Sequence, residues 1–273
     1  MVQRRWMALV GALLLMPFAA GARPRDPAPD NLPEIAAGTV QSVEDGATLT
    51  LADGRIVRLA GLLAPAAPLA MNKDTAWPAA EAATKALADL MLDRPLSLHS
   101  ALDEPDRHGR LVGQAILADG GWLQRDLLRR GLDRLEPTHA LGILAPALLK
   151  AEADARRHHR GIWRLAAYAV RTPEGLTARD TGSFVLVEGR VLSVAPTHEA
   201  TYLDFAEDWR RGFTVRIPRA VLQQADGFDP DELQGHRVRV RGWLAYEGRP
   251  ILDLADVSAL EAFPAGRKST RHP

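Results

Sequence analysis

Three groups of residues in this chain carry side chains suited to chemistry at an anionic group. The first is the turn Asp45-Gly46-Ala47-Thr48, with Arg58 following. The second is Asp106-Arg107-His108-Gly109-Arg110. The third is the alternation Arg237, Arg239, Arg241, in a region that also holds Trp209, Phe213, Trp243 and Tyr246. A guanidinium fork matches a phosphate or carboxylate, so Arg58 and Arg110 are candidates for an anion clamp. The competing role is structural, each arginine pairing with Asp45 or Asp106 to brace a strand edge. In the third group, alternation puts the three arginines on one strand face, and arginines beside aromatic rings can hold single-stranded nucleic acid. Asp204, Glu207, Asp208, Asp253 and Asp256 share that region, which favours an interaction module without an assigned ligand.

The elements that must position these residues can be read from spacing. Val40 and Val43 lead into Asp45-Gly46, Thr48 to Leu51 is strand-prone, and Asp53-Gly54 is a hairpin turn into Ile56 to Leu59. Three short strands in a meander follow. Pro78 to Asp93 reads as a helix, with Ala83, Leu87, Leu90 and Met91 at helical spacing. Leu96 to His99 and Arg110 to Leu117 read as strands, and a second helix ends at Gly131. A third runs from about Leu144 to His159 and finishes in Arg156-Arg157-His158-His159-Arg160. That basic run sits where a helix C-terminus favours cations, and its two histidines face different sides, against a joint metal site. Beyond a linker, strands are expected at Val185 to Val194, Thr201 to Phe205, Gly212 to Ile217, Arg237 to Leu244 and Pro250 to Leu254, with a short helix over Pro218 to Gln224. Five strands with a helix between the third and fourth is the element order of an OB-fold barrel. The two halves show no convincing sequence repeat.

The 273 residues are enough for two small domains with real cores. Basic Met1 to Arg5, an apolar run to Ala20 broken by Pro17, and the small residues Ala20-Gly21-Ala22 have the order of an export signal. A membrane span needs about 20 apolar residues, and this run is shorter. With no cysteine, disulfides and a lipid-anchored lipoprotein are excluded. The expected location is periplasmic or secreted, with no stable membrane span after cleavage. Removing residues 1–22 takes Arg4 and Arg5 from the 34 basic residues and leaves 32 against 34 acidic. Such a balance does not advertise non-specific nucleic-acid binding, which relies on basic surfaces. The expected layout is a signal at 1–22, linkers at 23–34 and 166–182, domains at 35–165 and 183–262, and a tail at 263–273.

Five motifs in order carry a resemblance. Val43-x-Asp45-Gly46-x-Thr48, Arg58-Leu59-x-Gly61-Leu62-x-Ala64-Pro65, Asp106-x-x-Gly109-Arg110, Asp119-Gly120-x-Trp122-Leu123 with Leu127 and Gly131, and Gly161-Ile162-Trp163 together resemble the thermonuclease (staphylococcal-nuclease-like) family. The resemblance covers Ile35 to Trp163. It implies a mainly β protein with helices (α+β): a five-stranded OB-type barrel with three helices, followed here by a smaller OB-like barrel. It also implies calcium-dependent cleavage of DNA or RNA, with Arg58 and Arg110 contacting the phosphate. The family's two carboxylate ligands, however, fall on Ala47 and Leu63, and its general base on Ala66, leaving Asp45 as the sole residual metal candidate. A hard cation needs several anionic oxygens, and losing a general base costs about 10²–10⁴-fold in rate. The chain is therefore expected to have lost the chemistry, to need no cofactor and to act by binding. Nucleic acid, another anionic ligand or an envelope protein are the expected partners. Two alternatives stand beside that reading. One is an active phosphodiesterase whose calcium is re-sited among Glu44, Asp45, Asp53, Asp74, Asp103 and Glu104; the other is a structural, partner-binding envelope protein.

Overall fold

A computed structural model describes residues 28–67, 77–102 and 104–263. The export-signal pattern, residues 23–27 of the first linker, Asp74, Asp103 and nearly all of the tail lie outside them. In the first region the strands are β1 (Glu34–Asp45), β2 (Thr48–Leu51), β3 (Ile56–Leu59), β4 (Leu62–Leu63), β5 (Pro95–His99), β6 (Leu111–Leu117) and β7 (Arg134–Leu135). Helix α1 (Ala80–Met91) lies between β4 and β5, α2 (Leu123–Arg130) follows β6, and α3 (Ala145–Arg157) follows β7.

The meander expected from Val40 to Leu59 forms, and with β5 and β6 it closes into a barrel in the order β1-β2-β3-β6-β5. Closure comes through the parallel pair β3–β6, where Arg58 lies opposite Val112. The alternation that predicted strands is the alternation that fills the barrel: Val40, Leu49, Leu51, Val57, Leu59, Leu98 and Ala115 are all fully buried. Each such aliphatic side chain contributes roughly 1.5–3 kcal/mol on leaving water, less for alanine. Helix α2 stops at Gly131, whose φ of 71° is left-handed, and Gly161 (φ 52°) lies against it. A Cβ on Gly161 would fall 2.0 Å from the Gly131 carbonyl oxygen. Only glycine permits that approach, and it fixes the Gly161-Ile162-Trp163 turn against the end of α2.

The second region comprises β8 (Phe184–Arg190), β9 (Ser193–Pro196), β10 (Ala200–Asp204), β11 (Thr214–Pro218), α4 (Arg219–Gln223), β12 (Arg237–Tyr246), β13 (Pro250–Asp253) and β14 (Leu260–Ala262). Its ladder runs β14-β12-β13-β11-β10-β9, and β8 also pairs with β12. The first strand expected there breaks at Val191–Leu192. The Val191 amide donates to the His236 carbonyl and the Leu192 amide to the Asp204 carbonyl, so the chain passes from one ladder to another. Its core is separate, built on Val187, Leu203, Phe213, Val215, Ile217, Val238, Val240 and Leu252.

The segment read as the second linker is packed rather than free. Tyr168 and Leu176 are buried, the Tyr168 hydroxyl donates to the Pro78 carbonyl at 2.8 Å, and Arg171 pairs with Asp180 at 3.0 Å. A third apolar cluster joins the two regions: Ile162, Trp163, Tyr168, Phe184 and Leu186, with Leu63, Trp77 and Trp243 packed on it. Among the described residues no helix is long and apolar enough to cross a membrane.

Candidate anion site at the barrel edge

Arg58 is near the end of β3 and Arg110 immediately precedes β6. Since Arg58 lies opposite Val112 across the parallel ladder, Arg110 stands two residues upstream of that partner and shares its face. Both guanidiniums are only partly exposed, 19% for Arg58 and 28% for Arg110. Arg58 donates to the Leu62 carbonyl at 2.7 Å and to the Thr48 hydroxyl at 3.3 Å. Its ion pair with Asp45 is a loose 3.5 Å. Arg110 is held more tightly: Nε and Nη2 lie 2.8 and 2.7 Å from Asp106 Oδ2. Asp106 Oδ1 accepts from the amides of His108 and Arg110. Partial burial tends to raise the Asp106 carboxyl, but the Arg110 guanidinium and these two amides outweigh it and hold the carboxyl down at about 2. Arg58 and Asp106 also line a cleft of about 220 Å³ with His99, Gln114 and Glu136.

The metal-ligand positions do not fit a cation. Ala47 is fully buried and Leu63, partly buried, packs against the apolar cluster that joins the two regions. Asp45 serves its own turn: Oδ1 accepts from the Ala47 amide at 2.7 Å and Oδ2 from the Thr48 hydroxyl at 3.1 Å. Ala66 is exposed but has no proton-accepting side chain. Of the scattered acids, Glu44 accepts from the Thr50 hydroxyl and Asp53 pairs with Arg55. Among the described residues no three His, Cys, Asp or Glu side chains come together as a metal site.

Residues 56–165 match the family model described as staphylococcal nuclease homologue. The first region is thermonuclease-like. The match begins at β3, so it covers Arg58, Arg110 and the positions of Leu63 and Ala66, and it ends before the second sheet. No curated protein matches the chain.

The arginine stripe of β12 is not an open basic face. Arg241 is wholly buried, with Nη1 2.6 Å from Glu152 Oε2 on α3 and Nη2 2.6 Å from Glu261 Oε1 on β14. Arg239 is 2.5 Å from Glu188, and Arg237 pairs with the same carboxylate. Phe213 is buried in the second core. Trp243 packs edge-on to Phe184 and donates to Glu136 at 2.7 Å. Trp209 and Tyr246 remain exposed. The acids that answer the stripe are distant in sequence, so strand alternation alone could not reveal them. The basic run after α3 behaves as a helix end: Arg157, His158 and Arg160 all approach Asp154.

Two site residues were not singled out by the sequence reading. Glu152 joins the regions: its Oε1 accepts from the Leu135 amide, and its Oε2 from Arg156 and Arg241. Asp133, just before β7, is fully buried and neither carboxylate oxygen has a hydrogen-bond partner. Neither carries a local signal: Asp133 stands in Leu132-Asp133-Arg134-Leu135, where residue type and spacing do not set it apart from a solvated acid.

Proposed function

We propose that this chain is an exported binding protein on a thermonuclease-like barrel that has given up calcium-dependent phosphodiester cleavage. It holds an anionic group, such as a backbone phosphate, between Arg58 and Arg110. The observation that carries this reading is the fate of position 63. Leu63 belongs to the apolar cluster shared with Trp77 and Trp243, so the place of a metal ligand is taken up by the joint between the regions. Arg58 lines a cleft, and Arg110 stands on the same face paired with Asp106, which also lines it, an arrangement that suits anion binding without supplying a base or a metal. Export rests on the pattern of residues 1–22. We read the second sheet, with its OB-like element order, as a module that braces the barrel and offers Trp209 and Tyr246 at its surface.

The test is a nuclease assay on DNA and RNA with calcium, magnesium and manganese in turn. No cleavage is expected with any metal. Cleavage that disappears in Arg58→Ala or Arg110→Ala would overturn the proposal. Restoring acids with Ala47→Asp, Leu63→Asp and Ala66→Glu is expected to loosen the protein rather than revive it, because the first carboxylate enters a fully buried position and the second the side of an apolar cluster.

A further inference from the structure

Among the described residues, one buried carboxyl has no hydrogen-bond or ion-pair partner and no part in the clamp. Asp133 has a relative exposure of 0%, and both of its oxygens are unpaired. A Cβ built on Gly46 would lie 3.0 Å from Asp133 Oδ1, 3.1 Å from the Ala83 Cβ and 3.2 Å from the Ala64 Cβ. The carboxyl therefore lies against the Asp45-Gly46-Ala47 turn, with the Ala64 and Ala83 methyl groups close to the same point. Glycine at position 46 leaves it the room.

Its charged neighbours come from each element around it. Arg58 on β3 favours its ionised form, Asp45 at the end of β1 opposes it, and Arg134 on β7 favours it. The Tyr168 hydroxyl is close enough to feel its charge, and Ala83 of α1 lies near the same turn. Burial outweighs all of these and pushes the carboxyl up to about 8. A neutral acid is tolerable in such surroundings, whereas an ionised one requires a counter-charge. Arg58 exerts the strongest attraction of any charge acting on it. Its own partners are a carbonyl, a hydroxyl and the loosely paired, half-exposed Asp45, so its charge is largely uncommitted.

We propose that Asp133 is a positioning residue for the barrel-edge anion site: protonated, it leaves the charge of Arg58 available to a bound anion, and ionised, it draws that charge inward. This rests on the reading of Arg58 and Arg110 as an anion clamp. It gives that site a dependence on one internal proton.

The full chain would be titrated with sulfate, an anion whose own charge is constant over the range, from about pH 6 to about pH 9.5. Affinity in the unaltered protein is expected to fall about tenfold between the ends, the scale of one nearby unit charge at a partly screened site. Asp133→Asn should bind with a nearly flat profile, and Asp133→Ala, which fits among Ala64 and Ala83, repeats the test should the amide fail to fold. The comparison among the three proteins isolates the contribution of Asp133. The carboxyl carbon resonance of Asp133 should shift with a midpoint above pH 7. Parallel affinity profiles in the unaltered and Asp133 proteins, or a resonance midpoint near 4, would overturn the role of Asp133 alone. Absence of sulfate binding in every protein at every pH would instead overturn the clamp, and the role of Asp133 with it.

Discussion

The first barrel and the second sheet both carry arginines on strands, yet they use them differently. At the barrel edge, Arg58 has one loose ion pair at 3.5 Å, and Asp133 below it has no partner at all. In the second sheet, Arg241 and Arg239 are 0% and 15% exposed, and Glu152, Glu188 and Glu261 answer them within 2.6 Å. A charge removed from water must be matched or it destabilises the fold. The second sheet meets that condition and becomes a joint. At the barrel edge Arg110 is matched by Asp106, while Arg58 keeps only a loose pair with Asp45. An alternating basic stripe is thus no sign of an open basic face here, since its carboxylate partners come from other elements.

Breaking the matched side should have the largest effect. Arg241→Ala leaves Glu152 buried and short of one partner, and Glu152→Gln does the converse. Each is expected to lower unfolding free energy by about 3–5 kcal/mol, measured by denaturant melts. An effect under about 1 kcal/mol would mean that the two regions do not depend on this pair. Glu152 itself is pulled both ways. Its burial raises the carboxyl, and Arg241, Arg156 and the Leu135 amide prevail and lower it.

The unmatched side should behave in the opposite sense. Asp133 has a folded-state value raised above the unfolded one, so the folded protein binds an extra proton between about pH 4 and pH 8. The associated stability is fully present below the unfolded value and is lost as pH rises through the folded one. In that window unfolding free energy should decline by up to about 1.4 kcal/mol per pH unit from this group. Asp133→Asn should remove the decline and leave the protein more stable at pH 8. A variant that shows the same slope as the unaltered protein would place the effect elsewhere.

The smallest effect is expected at Arg237. Its side chain is 68% exposed, and Glu188 keeps Arg239 when it is lost. Arg237→Ala should alter stability by less than about 0.5 kcal/mol and leave sulfate affinity unchanged. A marked loss of affinity would return the β12 stripe to the list of binding surfaces.

Much of the fold was legible because it rests on local rules. The Asp53-Gly54 hairpin, the alternation through Thr48 to Leu59 and the Gly131 cap each depend on residues a few positions apart. The break at Val191–Leu192 was not legible, because it is imposed by β12 on one side and β10 on the other. The same limit hid the packing of 166–182, where Tyr168 reaches back to Pro78.

What the sequence determined by itself is the order of elements, the two turn arginines and the absence of acids at positions 47, 63 and 66. Those are matters of residue type and spacing along one strand or turn. What only the tertiary structure decided is where charge is left over. Arg241 meets Glu152 across 89 residues, and Asp133 comes to rest under Gly46 without a partner. Burial and charge matching are properties of neighbours in space, and folding alone chooses those neighbours.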